Sequence, residues 1–150
     1  MMSSRDHRRS ARWGAATVCL SVLSVTLAGC STTSAMNLEV GQCVSVPAQE
    51  ATASVSRVDC TAPHQAEVVA VLDIPTDTLP PVSELDTRAT SECTAAFESY
   101  VGIPQEDSAL SIFWLRPSVD SWEAGDHTIT CLAQRSDGTD LTASIRDSGM

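Results

Sequence analysis

The 150-residue sequence contains no lysine. All nine of its cationic residues are arginine, set against nineteen Asp and Glu for a formal net charge of −10. A surface of that sign repels phosphate backbones, which excludes nucleic acid as a partner. Several chemical signatures are also missing. There is no Gly-x-Ser-x-Gly elbow to present a serine nucleophile. There is no glycine-rich loop to cradle a phosphate. There is no Cys-x-x-Cys knuckle, which argues against a four-thiolate zinc site.

What is present is one apolar run, Ala15 to Ala28, preceded by Arg5, Arg8, Arg9 and Arg12 and ending in Leu27-Ala28-Gly29-Cys30. A basic start, an apolar middle and small residues before a cleavage point form a secretory signal, and the terminal Cys makes it a lipobox. At ~1.5 Å per residue Ala15–Gly29 spans roughly 22 Å as a helix, short of the ~30 Å core of a bilayer. Processing therefore explains it better than a permanent membrane helix. The Arg8-Arg9 pair is followed by Ser-Ala-Arg, which favours the ordinary secretory route. The expected organisation is a signal peptide over residues 1–29, a lipidated Cys30 with a polar tether over residues 30–37, and one domain over residues 38–146. Cleavage removes four arginines and one acid, leaving five against eighteen, a charge of about −13. Such a body stands off anionic headgroups and depends on its anchor.

Cysteine usage agrees with export. Cys19 lies in the signal and Cys30 takes lipid, leaving Cys43, Cys60, Cys93 and Cys131, an even number suited to an oxidising compartment. Strands expected around Val44–Val46 and Val55–Cys60 form a hairpin that brings Cys43 to Cys60. The segment Glu67–Ile74 reads as a central strand because Val68 to Leu72 is apolar on both faces. Pro75, Pro80 and Pro81 mark a rigid loop. A helix is expected over Ser83–Val101, with Ser83 as N-cap and Gly102 and Pro104 as the stop. Its apolar stripe is Leu85, Ala89, Cys93, Ala96, Phe97, Tyr100 and Val101. Further strands are expected at Leu38–Val40, Leu110–Leu115, Thr128–Ala133 and Leu141–Ile145, with a turn carrying Trp122 over residues 121–127 and a hairpin turn at Ser136–Thr139. Four cysteines allow three pairings; Ile129, Cys131 and Ala133 share one strand face that can meet the helix, which favours Cys93–Cys131 alongside Cys43–Cys60. The fold class is α+β: a small antiparallel sheet of about five to six strands covered by one amphipathic helix, with two disulfides, preceded by a lipoprotein signal peptide.

Several short motifs in order carry a resemblance. They are Val40-Gly41-Gln42-Cys43, then Val58-Asp59-Cys60-x-x-Pro63-His64-x-x-Glu67-Val68, then Cys93, Trp122-x-x-Gly125-Asp126-His127 and Cys131. Over about Leu38 to Ile145 the chain resembles the septum formation family, small exported or membrane-tethered domains of actinobacteria. Gly-Asp-Cys and Gly-Asp-Arg are the commoner family forms, and here Gln42 and His127 stand in those places. The resemblance implies an envelope protein linked to division or wall assembly, and it brings no assigned reaction.

Two constellations could carry chemistry. His64, Glu67, Asp126 and His127 are suitable zinc ligands if they converge, and would then make a small metal-dependent hydrolase. The plainer reading is that His64 braces the Pro63 turn and Asp126 orders its own turn. Trp114 and Trp122 either form an aromatic binding face or fill the core. The leading expectation is a non-catalytic, lipid-anchored envelope module that needs no cofactor and binds a protein or cell-wall component. A purely structural lipoprotein is the third reading.

Overall fold

The computed structural model describes residues 32–34, 37–45 and 54–150. The expected signal peptide, Cys19, Cys30 and half of the expected tether lie outside the described residues. Six strands form one antiparallel sheet: β1 (Thr32–Ser34), β2 (Cys43–Ser45), β3 (Ser54–Val58), β4 (Ala66–Asp73), β5 (Leu110–Leu115) and β6 (Thr128–Arg135). Their order across the sheet is β1-β3-β2-β4-β6-β5. The long helix α1 (Val82–Val101) joins β4 to β5, and a short helix α2 (Val119–Glu123) joins β5 to β6. Both β4 and β5 pair antiparallel with β6, so they run the same way with β6 between them. The sheet, the main helix and the two disulfides are those the sequence predicts.

The helix is positioned by its apolar stripe. Leu85, Ala89, Cys93, Phe97, Tyr100 and Val101 are buried, against Ala70, Ile129, Cys131, Ala133 and Leu110 of the sheet. Cys93 is bonded to Cys131 across this interface, and Cys43 at the start of β2 is bonded to Cys60 just after β3. In the chain-entropy account the longer bridge contributes about 4 kcal/mol and the shorter about 3 kcal/mol. The opposite sheet face carries a second apolar cluster of Leu38, Val44, Val55, Ala66, Val68 and Leu132. Alternation along β4 feeds both clusters, which is why Val68 to Leu72 is apolar at every position.

Several local expectations are corrected. Thr32–Ser34, read as tether, pairs with Ser54–Ser56 as an edge strand. Ser and Thr suit linkers, but Thr is also β-branched and tolerates a pleated edge. Leu38–Val40 is not a strand. It enters a turn in which Gln42 N donates to Glu39 O and Glu39 N to Gln42 Oε1, closed by Gly41 at φ +91°. The helix starts one residue before Ser83. The Pro81 carbonyl accepts from the Glu84 and Leu85 amides, and no side chain caps the end. The turn expected over residues 121–127 is preceded and overlapped by α2, started by a reciprocal Ser118–Ser121 capping box. Leu141–Ile145 is not a ladder strand. Only Leu141 bridges, to His64, because the backbone beyond it is diverted to another partner described below.

Phe97 is fully buried at the centre of the helix–sheet interface. Phe97→Ala is expected to lower unfolding free energy by about 3–5 kcal/mol, read as an earlier urea midpoint at an unchanged m-value.

Candidate functional site

The first motif cluster folds around the start of β4. After β3, the Asp59 carboxylate accepts from Thr61 N at 2.9 Å and Thr61 Oγ1 at 2.7 Å. Those hydrogen bonds hold the Asp59 carboxyl below the usual carboxylate range. The turn delivers His64 into the interior, where it is fully buried. Its backbone exchanges two hydrogen bonds with Leu141. Its ring Nδ1 lies 2.8 Å from Ala62 O. A carbonyl can only accept, so Nδ1 carries a proton, and in the neutral ring Nε2 is the nitrogen with the lone pair. Nε2 is buried without a hydrogen-bond partner. An unmet buried polar atom of this kind costs about 1–3 kcal/mol.

Glu67 is also fully buried. Its Oε1 accepts from the Tyr100 hydroxyl and from Ser144 Oγ at 2.7 Å, and its Oε2 accepts from Ile145 N at 2.8 Å. One carboxylate thus ties β4 to α1 and to the C-terminal segment. This is the partner that takes Ile145 out of strand pairing. The Tyr100 phenol is pushed up to about 12, first by burial and then by its hydrogen bond to Glu67. The Arg146 guanidinium sits 4.3 Å from the Tyr100 ring centroid, a cation–π contact. Gly41 approaches the same group. A Cβ there would stand 3.0 Å from Arg146 Nη2, and its φ of +91° already disfavours any side chain. Val69, Ala96, Ser99, Tyr100, Arg146 and Asp147 line a groove of about 240 Å³ beside this network.

The second motif cluster lies elsewhere. Trp122 stacks on His127 with ring centroids 3.9 Å apart. Asp126 Oδ1 accepts from Thr128 Oγ1 at 3.0 Å, and Asp126 N donates to Ser121 O. His127 O receives the Ile74 amide, beyond the far end of β4. Seven residues separate Glu67 from Ile74, roughly 23 Å along a strand. His64 and Glu67 are therefore brought together, while Asp126 and His127 are not. The four-residue metal centre considered for a hydrolase is not assembled, because β4 holds its two halves at opposite ends. The residue that sequence reasoning missed is Cys43, which joins His64 and Glu67 in a cluster whose ligand atoms all lie within 4.8 Å. The signal was the β2–β4 register, with Cys43 opposite Glu67. Trp114 and Trp122 are half-buried and pack against the helix-side core. The Trp114 indole donates to Asp86 Oδ1 at 2.9 Å. Both residues thus contribute to the core with part of their surface.

Glu67→Ala leaves three donors without an acceptor and is expected to cost about 3–5 kcal/mol in urea unfolding. Tyr100 is the single tyrosine, so tyrosinate absorbance reports it alone. Its folded value of about 12 lies above the ordinary 10.0. The stabilisation from the neutral phenol is therefore complete below pH 10 and lost as pH rises towards 12. In Glu67→Gln the ionisation midpoint should fall. A wild-type midpoint near 10 in the folded state would contradict the buried pair.

A family model described as Septum formation matches residues 21–131. Two curated proteins named "Putative lipoprotein LppN", one from Mycobacterium tuberculosis and one from Mycobacterium bovis, are each 31% identical over 116 residues. The match covers 74% of this chain and 63% of each relative, so the chain spans less than two thirds of their length. No solved structure matches. No helix among the described residues is long and apolar enough to cross a membrane.

Proposed function

The chain belongs to the septum formation family, and on that premise we propose that it is a lipid-anchored, extracytoplasmic envelope module that binds a protein or cell-wall component without catalysis. The anchor is Cys30, the last residue of Leu27-Ala28-Gly29-Cys30. Relatives whose printed name includes "lipoprotein" support that assignment. The link to septum formation rests on the family description.

The observation that carries the non-catalytic reading is how the motif residues are used. Glu67 has both oxygens engaged by buried donors. Cys43 and Cys60 are oxidised, as are Cys93 and Cys131. Asp126 and His127 hold a turn. These side chains fix a shape, and a fixed shape in a strongly acidic body suits recognition by a complementary partner.

Cys30→Ala is expected to abolish acyl labelling and move the protein out of the membrane fraction. Retention in the membrane at precursor length would refute the lipid anchor. Crosslinking in cells followed by partner identification is expected to recover a defined division or wall-assembly component. Recovery of no partner above a Cys30→Ala control would leave the module structural rather than recognising.

A further inference from the structure

Cys43, His64 and Glu67 are three of the most deeply buried residues in the molecule, each exposing 1% or less. One Sγ, one ring nitrogen and one carboxylate oxygen from them all lie within 4.8 Å of one another. Residues of these three types bind zinc. In the oxidised chain the set is incomplete, because Cys43 is bonded to Cys60 and the thiolate is the form that binds metal. A second observation points to a missing ligand. His64 Nε2 is buried with no partner, while Nδ1 is committed to Ala62 O.

We propose that reduction of the Cys43–Cys60 disulfide converts this cluster into a zinc site formed by Cys43 Sγ, His64 Nε2 and a Glu67 carboxylate oxygen. Cys60 is part-exposed whereas Cys43 is buried, so a dithiol reductant reaches Cys60 first. Its thiolate forms a bond to Cys60 Sγ, the Cys43–Cys60 bond breaks, and Cys43 leaves as a thiolate. The reductant's second thiol then displaces Cys60 and departs as a cyclic disulfide. Two electrons pass to the pair of cysteines. Zinc takes the Cys43 thiolate, and any proton on that sulfur is released to solvent.

The geometry and charge both suit the ion. Bonds of about 2.0–2.3 Å in a tetrahedral site put ligand atoms roughly 3.3–3.7 Å apart. The present limit of 4.8 Å must therefore contract by about 1 Å, and breaking the disulfide frees the Cys43 side chain to do so. A thiolate and a carboxylate balance the two positive charges, leaving a neutral buried centre. Metal-bound imidazoles donate their other N–H to a carbonyl or carboxylate, and ligating carboxylates are themselves hydrogen-bonded. The Ala62 carbonyl, and the Tyr100, Ser144 and Ile145 donors on Glu67, provide those supports. Thiolate with imidazole selects zinc over calcium or magnesium. The fourth position is left to water, which keeps the centre neutral. The Cys93–Cys131 disulfide has no such neighbours among the described residues.

The test is a zinc titration of the full chain in detergent, oxidised and after phosphine reduction, against a chromophoric chelator. The reduced chain is expected to bind at this site at least tenfold more tightly than the oxidised chain. His64→Ala should lose that gain, which separates this site from the other thiols. Cobalt in place of zinc should give a thiolate charge-transfer band that disappears in Cys43→Ser and survives in a Cys93→Ser/Cys131→Ser double variant. Equal zinc binding by oxidised and reduced wild type, or a gain unchanged by His64→Ala, would overturn the proposal. If a variant loses its far-UV circular dichroism, the wild-type comparison and its cobalt spectrum decide alone: no reduction-dependent band means no site.

Discussion

A single buried carboxylate governs how this domain closes. Glu67 stands on β4, yet its oxygens are met by the Tyr100 hydroxyl of α1 and by Ser144 and Ile145 near the C-terminus. Burying a carboxylate away from water is costly unless donors surround it. Three donors from two distant segments answer that need, and only the native arrangement delivers them together. The end of α1 is thereby fixed against β4, and the tail is drawn across instead of extending the sheet. Arg146, the next residue, then lies over the Tyr100 ring. Gly41 lies close by, where its φ of +91° is what calls for glycine. The chain of dependence runs from one charge to a hydrogen-bond set and on to a stacked guanidinium.

Much of the architecture was legible in the sequence because it follows from periodicity. The stripe on α1 needs only helical spacing, and its burial matches at Leu85, Ala89, Cys93, Phe97, Tyr100 and Val101. The apolar run in β4 announces a strand covered on both faces. Where local composition is ambiguous, the reading failed. Thr32–Ser34 looks like a linker and pairs like a strand. Leu141–Ile145 alternates like a strand, but a side-chain acceptor captures its amide. Strand propensity could not foresee that, since the acceptor lies 78 residues away in sequence. Helix α2 had a signal of its own in Ser118 and Ser121, a capping box in which serine takes the place usually held by glutamate.

The candidate site was legible in its residues and not in its grouping. His64 and Glu67 are close because both flank the start of β4. Asp126 and His127 have equally suggestive chemistry, but the full length of β4 separates them from the first pair. Proximity to Cys43 depended on strand register, which spacing along the chain does not fix. The two halves of the family pattern are thus two separate structural devices. One locks the β2–β4 end through a disulfide, a buried histidine and a buried glutamate. The other seats α2 against the start of β6 through a stacked Trp122–His127 pair.

The edge strand β1 bears on how the domain sits in its surroundings. Thr32 is already hydrogen-bonded into the sheet through its pairing with Ser56, and only Ser31 stands between it and Cys30. Two residues of backbone reach about 7 Å at full extension. A lipid on Cys30 would therefore moor the sheet by its edge, like a boat on a short painter rather than a float on a long line. The reach of the domain would be set by those two residues. A partner would have to meet it close against the bilayer surface.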